Sequence, residues 1–248
     1  MVNNCTTLPG DRCFGFQPGF FSMKTVVLFY GIIALVALFF GCSTVRYVRP
    51  IEKGGSVASL SLGGPITLVS GKYLPLPLLS AGYGYGITDN LSLEAGFHIT
   101  SALFGVAHGD LGVNWVPLKN RGAIPGVVLS PKLVLMSNFK PHESRSYPVI
   151  TPTLYWERGK HLFYGGAENW FERHAVRSDG NVQPQHWLFI PFIGYGISRG
   201  KWQFQSEARV YMPNLSNEIG PTTNLGFGTH GIFGVFFGLN RTFGGGAD

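Results

Sequence analysis

"KWQFQSEARVYM", Lys201 to Met212, is the stretch that decides the fold. Trp202, Phe204, Ala208, Val210 and Met212 fall on one side of an extended chain, and Gln203, Gln205, Glu207, Arg209 and Tyr211 on the other. A period of two belongs to a β-strand, whose successive side chains point to opposite faces of a sheet. Alternation does not say which face is inside. A water-soluble sandwich turns the apolar face inward, whereas a barrel in a membrane turns it outward to lipid.

The same pattern recurs on both sides of this stretch. "LSLEAGFHIT" sets Leu91, Leu93, Ala95, Phe97 and Ile99 against Ser92, Glu94, Gly96, His98 and Thr100. "AHGDLGVNW" sets Leu111, Val113 and Trp115 against His108, Asp110, Gly112 and Asn114. In the last run Phe233, Val235, Phe237, Leu239 and Phe243 oppose Gly234, Gly238, Asn240 and Thr242. Ten such segments are expected, at residues 55–63, 75–87, 91–100, 106–116, 126–137, 148–157, 161–172, 186–197, 201–212 and 227–243. Most have about the 9–11 residues that cross a bilayer as a tilted strand. No amphipathic helix interrupts them.

The links alternate in length. "TDN", "LKNRGAIP", "RGK" and "SRGK" are short to medium, and "GPITLVSGKYL", "FKPHESRSY", "HAVRSDGNVQPQ" and "PNLSNEIGPTTN" are long. Short turns at one end and long loops at the other describe an up-and-down barrel. An even strand number leaves both chain ends on the short-turn side. The expected architecture is therefore all-β: an up-and-down transmembrane antiparallel β-barrel of about ten strands over residues 55–243, preceded by a signal-peptide helix.

Composition favours lipid outside. Charged residues make up 13% of the chain, against about 25% in ordinary soluble domains. Glycines number 35 and aromatics reach 14%; small residues suit a crowded lumen. Trp115, Trp156, Trp187 and Trp202 lie near strand ends, where an aromatic girdle sits. An open sheet in hydrocarbon leaves its edge groups unpaired at several kcal/mol each, so it must close. The net charge of +6 is spread without a Lys/Arg run, which speaks against nucleic-acid binding. Three cysteines, Cys5, Cys13 and Cys42, make no disulfide scaffold, and no Cys pair stands near a His pair to suggest structural zinc.

Some residues resist the pattern. Pro131, Pro152 and Pro191 fall mid-strand on the apolar face, and each removes a ladder donor, so bulges or local breaks are expected there. Asn169 falls on an outward face. Arg158 and Arg241 also point out, but near the rim, where a long side chain can snorkel to water.

Residues 23–41 read as a secretory signal: Met23-Lys24, an apolar run "TVVLFYGIIALVALFF", then Gly41. The run is short for a bilayer span of about 20 residues. The residues leave open a lipid-modified product, an ordinary cleaved one and a retained anchor. "LFFGCS", Leu38 to Ser43, resembles the lipobox of bacterial lipoproteins. That resemblance implies Cys42 as the acylated N-terminus, processing by the lipoprotein machinery, and, with Ser43 following, export to the outer membrane with the lipid on the periplasmic side. Residues 1–22 fit no part of this, and a start at Met23 is expected. Residues 42–54 are polar, hold Pro50 and read as a tether. "GIFGVFFGLNRTF" resembles the closing strand of bacterial outer-membrane barrels, which implies that Phe243 is the aromatic recognised by the barrel-assembly machinery. Residues 244–248 form a tail beyond it.

A charge on the lipid face costs about 2–4 kcal/mol at mid-bilayer, so charges must point in. The inward set is Glu94, His98, His108, Asp110, Lys132, Glu157, Glu168, Glu207, Arg209 and His230. Inside a narrow lumen such groups must pair, and a polar plug is the reading favoured over a conduit. His98 and His108 beside Asp110 have the makings of a base with its orienter, or of metal ligands, but no nucleophile is marked, and no catalytic, cofactor or metal residue is assigned. "PHES" places His142, Glu143 and Ser144 side by side in a loop, and adjacent loop residues seldom form a triad. "GYGYG", Gly82 to Gly86, alternates within a strand and is no phosphate loop. Three functions follow in order: a lipid-anchored outer-membrane barrel binding an extracellular ligand or protein partner through its long loops, a narrow channel for small solutes, and an enzyme acting at the barrel rim.

Overall fold

The computed structural model describes residues 47–69, 71–140, 143–176, 182–183, 185–217 and 223–244. The signal segment, Cys42 and His142 lie outside the described residues.

Eleven strands occur among the described residues: β1 Ser56–Val69, β2 Lys72–Pro75, β3 Leu78–Thr88, β4 Leu91–His98, β5 Val106–Leu118, β6 Gly126–Asn138, β7 Ser144–Arg158, β8 His161–Phe171, β9 Trp187–Arg199, β10 Trp202–Ser216 and β11 His230–Phe243. Each pairs antiparallel with its neighbour, and β11 pairs back onto β1 from Ser56↔Phe243 to Pro65↔Gly234. The sheet is closed, so no barrel strand is left with an open edge. Ten strands make the wall. β2 stands outside it, paired only to the far end of β1 from Ile66↔Pro75 to Val69↔Lys72. The sequence pattern places residues 72–74 in a loop.

Turns at the end holding Ser56 and Phe243 are short between β3 and β4, β7 and β8, and β9 and β10. The opposite end carries the β1–β2 extension, the five-residue helix α1 (Ile99–Leu103), a short link after β6, because β7 already begins at Ser144, and the long connections after β8 and β10. Those connections are tied down. Leu68 N donates to Thr223 O at 2.8 Å, Leu225 N to Ile66 O at 3.0 Å, and Arg145 Nη2 to Val176 O at 3.2 Å.

The three mid-strand prolines are accommodated without register shifts. Pro131 keeps its partner Ile150 on β7, while the ladder to β5 skips from Lys132↔Gly112 to Leu129↔Trp115. Pro152 keeps Leu129 on β6, while the ladder to β8 skips from Ile150↔Asn169 to Thr153↔Gly166. Pro191 keeps Ala167 on β8, and the β9–β10 ladder stops one residue away at Phe192↔Arg209. Each missing N–H thus costs pairing on one side only. The true register shift in β10–β11 lies between Tyr211 and Ser216, beside Met212, whose φ of 46° is left-handed.

Candidate functional site: the barrel interior

The decisive stretch is turned inside out relative to a soluble protein. Trp202 and Phe204 are 45% and 47% exposed, whereas Glu207 and Arg209 are 4% and 3% exposed. The other strands agree: Leu60, Phe97, Leu111, Leu135, Phe163 and Ile193 all face out. Large exposed apolar area is unfavourable in water at about 25 cal/mol per Å². The exterior is that of a transmembrane barrel. Outward Asn169 is satisfied locally, donating to Ile150 O at 3.2 Å and accepting from Trp187 Nε1 at 3.1 Å.

The charged groups meet across the lumen because β6 and β8 each send one inward, and β10 two, at a similar level. Glu168 Oε1 takes Lys132 Nζ at 3.2 Å and Arg209 Nη1 at 3.2 Å, and its Oε2 accepts from Trp170 Nε1 at 3.1 Å. Arg209 Nε donates to Glu207 Oε1, and its guanidinium lies 5.3 Å from the ring centres of both Phe192 and Phe236. Nearer β4 and β5, Asn114 donates to Glu94. His98 and His108 stack face to face with centroids 3.6 Å apart, and His98 Nε2 lies 3.6 Å from Asp110 Oδ2. Parallel stacked imidazoles do not converge on one point, and no cluster among the described residues has the geometry to hold a metal ion. A cavity of about 60 Å³ lies between these groups, lined by Glu94, Asp110, Lys132, Glu168, Glu207 and Arg209 among others.

Two features of the interior were not read from the sequence. The first is apolar filling on both sides of the ionic layer. Val134, Val149, Trp170, Ile190, Tyr211, Ile232 and Phe236 pack toward the long-loop end, and Val116, Val128, Tyr155, Leu162 and Tyr164 toward the short-turn end. Phe236, fully buried, lies on the inward face of β11 with Ile232, Gly234, Gly238 and Asn240.

The second is the chain before β1. Residues 47–51, within the segment read as a tether, lie against the inner wall. Val48 packs on the lower apolar cluster, Arg49 Nη2 meets Glu157 Oε1 at 2.8 Å, and Ile51 is buried. Tyr47 reaches the central cavity; burial raises its phenol above the ordinary value, and Arg49 opposes that shift. The wall makes room through the "GYGYG" glycines. A Cβ on Gly84 would lie 2.7 Å from Ile51 Cδ1, and one on Gly86 would lie 2.1 Å from Glu52 O.

His230 does not join the interior. It is exposed at the start of β11, because the irregularity opposite Tyr211–Ser216 and the left-handed Gly231 (φ 63°) break the alternation counted up from Phe243. Phe243 faces outward at the other end, 5.0 Å from the Arg241 guanidinium.

No family model matches the chain, and no curated protein matches it. Solved structures that it resembles include a FadL homologue from Pseudomonas aeruginosa (11% identity, TM-score 0.34, over 78% of this chain and 65% of that one). OprG of Pseudomonas aeruginosa aligns over 79% of this chain and all of its own, at 11% identity and TM-score 0.31. An outer membrane channel from Pseudomonas putida F1 aligns over 80% and 100%, at 12% identity and TM-score 0.34. With identities near one in ten and scores this low, the barrel rests on its own ring of strand pairings.

Proposed function

We propose that this chain is a lipid-anchored barrel of the bacterial outer membrane with a sealed lumen, serving as a structural or binding protein through the loops at the end away from its termini. The observation that carries this reading is the inverted wall, with Trp202 and Phe204 exposed and Glu207 and Arg209 buried. Hydrocarbon is the surrounding in which that distribution is stable. "LFFGCS" supports acylation at Cys42, and the short-turn end, which holds both ends of the barrel, is the end for the periplasm. Phe243 is the candidate assembly signal on the same side.

Sealing follows from three layers: apolar packing toward the loops, the Lys132–Glu168–Arg209–Glu207 network, and Val48–Ile51 over the lower cluster. In planar bilayers the intact protein is expected to give no stepwise conductance. Discrete, ion-selective steps would favour the second reading, a narrow channel, which the central cavity supports by its four carboxylates against two cations. Mass spectrometry of the mature N-terminus tests the anchor: an acylated Cys42 is expected, and an unmodified N-terminus elsewhere contradicts it.

A further inference from the structure

We propose that Arg199, Trp202 and Arg241 form an outward-facing site for the phosphate of an anionic glycerophospholipid, at the short-turn end of the barrel. The proposal rests on the membrane reading above and adds a ligand to it.

Three adjacent strands build the site. Trp202 on β10 pairs directly with Arg199 on β9 and with Arg241 on β11. Neighbouring strands are about 4.8 Å apart, so the two arginine backbones stand about 10 Å apart with the indole between them. All three side chains point away from the lumen and are exposed. The Arg241 guanidinium is held 5.1 Å from the Trp202 ring and 5.0 Å from the Phe243 ring. The two rings hold the guanidinium in place, and among the described residues no hydrogen bond takes up its N–H groups. Among the described residues no carboxylate forms an ion pair with Arg199 or Arg241. A guanidinium with its donors open suits a phosphate, which it can bind through two parallel hydrogen bonds.

The wall beyond the site supplies the rest of a lipid. Phe204, the next outward residue of β10, pairs with Leu239 on β11 and Ile197 on β9. An acyl chain attached to a phosphate at Arg199 and Arg241 would run along these side chains. Trp202 sits between head and tail, where an indole is favoured at a membrane interface. Arg158, Lys160 and Lys201 are exposed at the same end and raise the local positive potential. With the termini toward the periplasm, the leaflet here is the one made of phospholipid, so the site takes a phospholipid and not the lipid A phosphates of the opposite face.

The test uses the mature full-length protein in mixed phosphatidylglycerol–phosphatidylcholine vesicles. Native mass spectrometry reads which lipid stays bound. The intact protein is expected to retain phosphatidylglycerol in preference. Arg199→Gln with Arg241→Gln should lower that preference about thirtyfold, at the usual contribution of an interfacial basic residue. Lys72→Gln with Lys140→Gln, at the loop end, should leave it unchanged. An unchanged preference in the first variant, an equal loss in the second, or displacement of phosphatidylglycerol by lipid A overturns the proposal. Heat-modifiable gel mobility keeps the two claims apart: a protein that never enters the vesicles contradicts the membrane reading, whereas one that inserts without lipid preference contradicts this site alone.

Discussion

Replacing Arg209 by leucine is expected to destabilise the barrel by about 3–5 kcal/mol, the usual result of removing one partner from a buried ionic network. Arg209 is the hub of the interior. It meets Glu168 at 3.2 Å, donates to Glu207, and fills the space between Phe192 and Phe236. Leucine keeps some of the packing but leaves Glu207 without the Arg209 cation, while Glu168 keeps Lys132 and the Trp170 indole. Urea titration read by the fraction of heat-modifiable band measures the loss. Adding Glu207→Gln removes one stranded carboxylate, so the double variant should recover part of the stability. A double variant no better than Arg209→Leu alone would show that ring packing, not charge pairing, holds this layer.

Gly86→Leu should expel the segment before β1 from the lumen and raise chymotrypsin cleavage after Tyr47 by about a hundredfold, the change expected when a packed segment loses a few kcal/mol of protection. Even a Cβ at this position would sit 2.1 Å from Glu52 O, a backbone atom that cannot turn aside. The segment is otherwise held by the Arg49–Glu157 pair at 2.8 Å, the buried Ile51, and Gly54 N donating to Gly86 O at 2.9 Å. The barrel wall does not depend on these contacts, so heat-modifiability should persist. Equal cleavage of the parent and the variant would mean that residues 47–51 are free in solution, as a tether would be.

These two sites differ in how far the sequence reveals them. Glu207 and Arg209 sit in a regular alternation, and a period of two places them opposite Trp202 and Phe204 whatever the rest of the chain does. Lys132, Glu168, His98, His108 and Asp110 follow by the same parity, and the structure brings them into one interior. His230 does not, because the irregularity opposite Tyr211–Ser216 and the left-handed Gly231 break the parity at the start of β11. The lodging of residues 47–51 was hidden for another reason. "STVRYVRPIEKGG" has no period, and its contacts are with strands 30 to more than 100 residues away. The available signal was the run of inward glycines at 82, 84 and 86, which marks wall with space in front of it. The prolines were legible as breaks; that pairing would lapse on one side without a register shift depends on which way each nitrogen faces, which residue type does not encode.

The central claim is that hydrocarbon surrounds the wall and charge lies within it. Nitroxide labels placed singly at Gln203, Phe204, Gln205, Leu239 and Asn240 in vesicle-bound protein test it most directly, by comparing collision with oxygen, which concentrates in hydrocarbon, and with a water-soluble nickel chelate. Labels at Phe204 and Leu239 should meet oxygen freely and the chelate hardly at all, while those at Gln203, Gln205 and Asn240 should be immobilised and shielded from oxygen. Free access of the chelate to the labels at Phe204 and Leu239 would contradict the account.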